Sequence, residues 1–99
     1  MIDFVLQDEN GRVIKRPSPD IAFRLSWLPE PSDRRFTCLR FVDPWGDTVF
    51  NVYQAKALLE DLNQLTAGSS DQDLLRAVDE IRELAKLCEQ HLYLRFIGD

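Results

Sequence analysis

Residues 39–51 read LRFVDPWGDTVFN, and the chain divides there into a β-rich half and a helical half. Residues 39–42 are strand formers apart from Arg40. Asp43, Pro44 and Gly46 suit a type I turn, because the aspartate can bond the backbone ahead of it, proline has a preset φ and glycine tolerates positive φ. Residues 48–50 then resume as a strand. The pattern predicts a hairpin held together by a structural turn.

A helix cap follows this hairpin. Asn51 can accept from the first free N–H groups of a helix, and Gln54 completes a capping box. The predicted helix runs from about residue 52 to 66, with leucines on its buried stripe and Asp61 on its outer side. Gly68 suits the left-handed position beyond the helix end. A second helix is predicted to start at Ser70, which forms a capping box with Asp73.

The β-rich regions predict an antiparallel sheet. Asn10-Gly11 between two apolar runs predicts a first hairpin of residues 3–7 and 12–15. Residues 21–28 alternate between apolar and polar and residues 35–42 lead into the turn, so both are predicted strands. Residues 92–97 should return to the sheet. We therefore expect residues 1–99 to form one α+β domain of about five to six strands, meander first, with two helices on one face.

Composition limits the classes of function. The net charge of −5 argues against a general nucleic-acid or anionic-membrane binder and allows a basic protein partner. No apolar run approaches the ~20 residues of a membrane span, and the first residues read as a strand rather than a signal peptide, so we expect a cytoplasmic protein. Cys38 and Cys88 lie far apart, outside any C-x-x-C pair, and are expected to be reduced and buried.

No catalytic or metal-binding signature stands out in the sequence. Asp43 and Asp47 would form a carboxylate pair, but the simpler interpretation makes both of them turn residues. His91 is the only histidine, so a typical zinc site lacks histidine partners, and a surface position near a helix end is the simpler interpretation. We expect no metal, no cofactor and no catalytic residue.

Three arginines indicate a binding surface. Arg24, Arg40 and Arg95 each stand between apolar residues of a predicted strand, and such an arginine points away from its apolar neighbours. The three should therefore share the sheet face without helices, with Tyr93 beside them. Arginine and tyrosine are enriched at interface centres, so this face is the predicted partner-binding site of a non-enzymatic protein-binding module.

Three alternatives stay open. The same face is also explained as a solvated surface on which the arginines pair with acidic neighbours. A small enzyme or ligand-binding protein would place its site around the turn, at Arg40, Asp43, Asp47 and Tyr53. A structural homodimer would pair through a sheet face or edge.

The motif LRFxDPxGDTVFN, together with the terminal YLRFIGD of residues 93–99, resembles a family of small uncharacterised bacterial proteins. The resemblance covers residues 36–99 and implies no particular activity. The compact, acidic composition also resembles that of bacterial immunity and inhibitor proteins, which implies a partner protein bound by surface complementarity.

Overall fold

A computed structural model describes residues 1–98. Its sheet contains β1 (Asp3–Asp8), β2 (Val13–Lys15), β3 (Asp47–Phe50) and β4 (Leu92–Ile97). The helices are α1 (Val52–Thr66) and α2 (Gln72–Leu87), and two short 3-10 helices span Leu25–Trp27 and Leu39–Phe41. The predicted α+β class, with an antiparallel sheet and two helices, is confirmed. The four strands are fewer than the five to six expected.

The strand order is β2-β1-β4-β3, with every neighbouring pair antiparallel. The first hairpin is confirmed: Asp8 Oδ1 accepts from the N–H groups of Asn10 and Arg12, and Gly11 has a φ of +83°. The last strand returns to the sheet as predicted and lies between β1 and β3. The predicted meander is wrong beyond the first hairpin, because residues 16–46 carry the chain from β2 at one edge of the sheet to β3 at the other, and β4 is then added between β3 and β1.

The helix ends follow local capping chemistry. Asn51 Oδ1 accepts from the Gln54 N–H and Gln54 Oε1 accepts from the Asn51 N–H, each at 2.9 Å, so the predicted capping box is confirmed. Gly68 has a φ of +72° beyond α1, also as predicted. The cap of α2 is a correction. Asp71, not Ser70, accepts from the first N–H groups of the helix, because a carboxylate one residue further on competes for them successfully.

The core lies between the helices and one face of the sheet. From the sheet, Phe96 packs against the rings of Phe4 and Phe50, with centroids 6.1 and 5.8 Å away. The helices contribute the buried residues Leu58, Leu62, Val78 and Ile81. Cys38 and Cys88 are free thiols and are buried in the same cluster, which confirms the expectation for both.

The predicted strand at residues 21–28 is wrong. Only Phe23 forms a bridge, to Ile2, through N–H···O bonds of 2.7 and 2.8 Å. The Trp27 ring packs edge-on against the Phe23 ring, with centroids 5.3 Å apart. Residues four apart in an extended strand are separated by about 13 Å, so this contact requires the chain to turn, which it does in the first 3-10 helix.

The predicted strand at residues 35–42 is also wrong. The segment forms turns and the second 3-10 helix, and it anchors Phe36, Leu39 and Val42 in the core. The cause is the Asp61 side chain of α1, which binds the backbone of this segment.

Candidate functional site

The carboxylate of Asp61 controls the path of residues 37–39. Asp61 lies on α1 and is 2% exposed. It accepts from the backbone N–H groups of Thr37, Cys38 and Leu39 at 2.9, 2.7 and 2.8 Å. Hydrogen bonds to a charged acceptor are stronger than those of a strand ladder. The segment is therefore held against α1, and the placement of Asp61 on the outer side of the helix is wrong.

The outer edge of β3 is open as a result. The central hairpin would have paired residues 39–42 with residues 48–50, but β3 pairs only with β4. The Gly98 N–H donates to the Gly46 carbonyl at 2.7 Å, and bonded and non-bonded pairs alternate along an antiparallel ladder. In this register Thr48 and Phe50 bond to β4, whereas the N–H and C=O groups of Val49 point outward. Among residues 1–98 these two groups have no hydrogen-bond partner.

A groove runs beside this open edge. Phe41, Val49 and Tyr53 line it and are 59%, 46% and 75% exposed, and the buried residues Cys38 and Phe50 lie at its base. Its volume is about 460 Å³, and no charged side chain of residues 1–98 lines it. We call this the edge groove.

A second cavity lies behind the central turn and is called the turn pocket. Its volume is about 230 Å³. The lining is apolar except for one charged side chain among the described residues, that of Arg40, and comprises Leu25, Leu28, Pro29, Pro31, Arg40, Val42, Pro44 and Trp45. The Trp45 side chain is largely exposed, at 72%.

Arg95 and Tyr93 lie on the sheet face without helices, as predicted. Both alternate with the buried Leu94 along β4, and Arg95 stands in register between Val5 and Val49. The Arg95 Nε donates to Asp47 Oδ2 at 3.0 Å, and Nη2 donates to the same oxygen. This arginine is therefore already paired with a carboxylate.

Arg24 and Arg40 do not share that face, which corrects the prediction. Arg24 Nη2 donates to Asp73 Oδ2 of α2 at 2.6 Å. Arg40 lies in the second 3-10 helix, where its Nη1 donates to the Pro31 carbonyl at 3.0 Å. The reason is that neither arginine belongs to a strand, so period-2 alternation does not apply to them.

The central turn is held by hydrogen bonds between neighbouring residues of the same segment. Asp43 Oδ1 accepts from the Trp45 N–H at 2.9 Å, and the Asp43 N–H donates to Thr48 Oγ1 at 2.8 Å. Gly46 does not have the positive φ that was expected. A Cβ at position 46 would lie 2.8 Å from Asp43 Oδ2, so any larger residue there would have to displace the Asp43 carboxylate. A Cβ on Gly98 would come within 2.6–2.7 Å of backbone atoms of the same turn.

The candidate site residues Asp43, Asp47 and His91 each interact with a different partner. Asp43 bonds within the turn and Asp47 bonds Arg95, so the two do not act as one carboxylate pair. His91 is exposed beyond α2 at a φ of +70°, with Nδ1 3.4 Å from Glu9 Oε2. Residues 1–98 contain no group of three or more His, Cys, Asp or Glu placed to hold a metal ion.

Burial raises the pKa of both thiols. At Cys38 the nearby carboxylate of Asp61 raises the pKa further. At Cys88 burial alone raises it. A raised pKa disfavours the thiolate, which is the nucleophilic form of cysteine. Cys38 therefore contributes packing at the base of the edge groove.

One signal for the buried carboxylate was present in the sequence. Asp61 lies three residues after Leu58 and four before Leu65, which places it beside the apolar stripe of α1. Nothing local indicated which backbone groups it binds, because they lie more than twenty residues earlier in the chain.

No helix within residues 1–98 has the length and apolar character needed to cross a membrane. The chain matches no known family model, and no curated protein or solved structure is significantly similar to it. Its function must therefore be inferred from its own geometry.

Proposed function

We propose that this chain is a non-enzymatic protein-binding module whose partner adds an extended strand to the outer edge of β3. The observation that carries the proposal is the unpaired N–H and C=O of Val49, which face the edge groove side of the sheet. Strand addition uses such groups for affinity and uses flanking pockets for specificity.

The side chains around the edge support the same proposal. Phe41 and Tyr53 are both more than half exposed and line one groove with Val49. Contiguous exposed apolar side chains are typical of interaction surfaces, and tyrosine is enriched at interface centres. Tyr93 and Tyr53 also line a cavity of about 250 Å³ next to the groove, so one predicted partner-binding residue borders the site.

The charge pattern indicates the character of the partner. The edge groove has no charged lining among residues 1–98, whereas the whole chain carries −5. The inserted strand should therefore present uncharged side chains, and basic residues outside the strand would be attracted by the net negative charge of the chain. Binding of this kind would suit an immunity or inhibitor protein.

A homodimer is a second candidate, favoured by the symmetry of the same edge. If a two-fold axis passes at Thr48, Asp47 of one copy lies opposite Val49 of the other. Both residues point their backbone groups outward, so each of the two pairs can exchange two hydrogen bonds.

The test is site-specific photo-crosslinking in the source cells. A photoreactive phenylalanine analogue replaces Tyr53, and the matched control places it at Leu87, an exposed residue of α2. We expect a discrete cross-linked product from position 53 alone. A product of twice the chain mass would indicate the homodimer.

Two lysine substitutions test whether the cross-linked product from position 53 depends on the outer edge of β3. Val49→Lys places a charge at the open edge of β3, whereas Ile14→Lys places one on β2, at the other end of the sheet, where Ile14 is 51% exposed. The first should abolish cross-linking from position 53 and the second should preserve it. Equal products from positions 53 and 87, or no product from either, would refute the proposal.

A further inference from the structure

Large apolar side chains are exposed on both sides of β3 along the chain. Trp45 precedes the strand and Tyr53 follows it, and they are 72% and 75% exposed. Phe41 and Val49 are also exposed, so residues 41–53 hold four of the eight large apolar side chains exposed within residues 1–98. Exposed apolar side chains that cluster in this way are typical of protein–protein interaction surfaces.

The exposed rings are large enough to form about half of a dimer interface. A phenylalanine, tyrosine or tryptophan side chain buries about 150–250 Å². At their exposures in the single chain, Phe41, Trp45 and Tyr53 together offer roughly 400 Å². A standard interface buries about 800 Å² per partner. The strand edge and the rest of the edge groove can supply the remainder.

The outward backbone groups of β3 suit a second copy of the same strand. Asp47 and Val49 both point their N–H and C=O groups away from β4, because bonded and non-bonded positions alternate along the ladder. With a two-fold axis at Thr48, Asp47 of each copy lies opposite Val49 of the other. Both of these pairs can exchange two hydrogen bonds, so every outward group of the two residues is satisfied.

Other positions of the axis satisfy fewer groups. An axis at Val49 would place Asp47 opposite Asn51, whose N–H is taken by Gln54 Oε1 and whose carbonyl is taken by the Ala55 N–H. An axis at Asp47 would place Val49 opposite Trp45. The Trp45 N–H is already bonded within the central turn, so the Val49 carbonyl would lack a donor. The backbone therefore favours the axis at Thr48.

Charge favours this edge over the other edge of the sheet. The edge groove has no charged lining among residues 1–98, and Asp47, the one charged residue of β3, is bonded to Arg95. At the opposite edge, β2 contains Lys15 and is flanked by Arg12 and Arg16. Two copies of β2 would bring these like charges together, and charged edge residues oppose strand pairing.

We infer that the β3 strands of two copies pair antiparallel about an axis at Thr48, and that Trp45 of each copy packs beside Tyr53 of the other. In this register position 45 lies opposite position 51, next to the part of the edge groove that Tyr53 lines. Each contact is made twice, because a two-fold interface uses the same surface of both subunits. The inference rests on the proposed strand addition and identifies the added strand.

Size-exclusion chromatography with light scattering tests the assembly. The purified protein should have twice the mass of the chain. Val49→Lys should give a monomer, whereas Ile14→Lys, on β2, should remain a dimer. Trp45→Ser should raise the dissociation constant at least about tenfold, because buried tryptophans are frequent hot spots. The matched control is Leu87→Ser, at an exposed residue of α2, which should leave the dissociation constant unchanged.

Engineered cysteines test the axis. Thr48→Cys would lie opposite itself at a non-bonded pair, where Cα atoms about 4.5 Å apart allow a disulfide. Val49→Cys is the matched control, since the two copies of that position would be diagonal neighbours about 7–8 Å apart and beyond disulfide reach. Both are made with Cys38→Ala, because Cys38 lines the same groove. Oxidised glutathione should convert Thr48→Cys, and not Val49→Cys, into a disulfide-linked dimer.

Three results would overturn the inference: a monomeric mass at every concentration, a dimer that persists in folded Val49→Lys, or a disulfide from Val49→Cys and none from Thr48→Cys. A monomeric chain that still cross-links a different protein from position 53 would refute the second copy and leave the strand-addition proposal standing. Failure of this inference is therefore distinguishable from failure of the proposed function.

Discussion

At the residue scale, one buried carboxylate has the largest effect on this surface. Asp61 satisfies three consecutive backbone N–H groups of a segment that contributes Leu39 and Cys38 to the core. A buried charge is stable only when it is well bonded, and each of these N–H groups would otherwise be unpaired. The same contact removes the segment from β3.

Asp61→Asn should lower the free energy of unfolding by about 3 kcal/mol. The amide keeps one acceptor oxygen but turns an NH₂ group toward backbone donors, so the equivalent of about two charge-assisted bonds is lost. Urea denaturation measures the change. Glu60→Gln, at the exposed neighbouring position, should stay within about 0.5 kcal/mol of wild type. Comparable effects at the two positions would contradict the role given to Asp61.

At the scale of elements, β3 is a short edge strand whose two sides differ. Thr48 and Phe50 bond to β4, while Val49 faces outward. The edge ends at Asn51, whose N–H is taken by Gln54 Oε1 in the capping box. The open edge is therefore short and has a defined end.

Proline substitution should distinguish the two sides of β3. Thr48→Pro removes a ladder hydrogen bond and should cost about 3 kcal/mol, whereas Val49→Pro removes an outward N–H and should cost less than about 1 kcal/mol. Thermal unfolding followed by circular dichroism gives both values. A larger cost at Val49 than at Thr48 would show that the register is shifted by one residue.

Substitutions at Gly46 and Asp43 of the central turn should have coupled effects on the free energy of unfolding. Gly46→Ala places a Cβ against Asp43 Oδ2 and should displace the carboxylate from the Trp45 N–H. Each single change, Gly46→Ala or Asp43→Ala, should cost about 1 kcal/mol. In the Asp43→Ala background, the Gly46→Ala substitution should cost almost nothing, because the carboxylate that the new Cβ would contact is absent. Additive costs in the double variant would mean that the two residues act separately.

At the scale of the whole molecule, a long irregular segment is held by its buried side chains rather than by a sheet. Residues 16–46 contain no strand of the four-stranded sheet, yet they contribute to one core with both helices. Their buried members are Phe23, Phe36, Cys38, Leu39 and Val42. The turn pocket is formed within this segment, and its end forms one wall of the edge groove.

Stability of the whole fold should decrease in alkaline solution. The pKa of Cys38 is raised by burial and then by Asp61, and that of Cys88 by burial, while the unfolded thiols titrate near 9.0. The thiol contribution to stability is complete below the unfolded pKa and is lost as pH rises through the higher folded pKa, because the unfolded state releases its protons first. Urea denaturation between about pH 8 and pH 10 should show the decline.

The matched variant is Cys38→Ala with Cys88→Ala. It should be less stable near neutral pH, since both thiols pack in the core. Its stability should nevertheless fall less steeply over the alkaline range. An equal slope in the two proteins would mean that other groups cause the decline.

Local chemistry was enough to predict several elements from the sequence. The bounds of α1, its capping box, the first hairpin, β3 and β4 all depend on residues within about four positions of one another. The burial of both cysteines was predicted from the absence of a C-x-x-C pair and from the tendency of free cysteine to be buried. These signals are short-range, so a single sequence contains them in full.

The site depended on contacts that no local pattern contains. Residues 35–42 have the composition of a strand, but Asp61 binds their N–H groups from a helix more than twenty residues away. That competition leaves the β3 edge open, places Arg40 in a 3-10 helix beside the turn pocket and removes it from the sheet face that holds Arg95. Backbone donors pair with the strongest acceptor that the folded chain brings within reach, and only the packing of α1 brought this carboxylate to them.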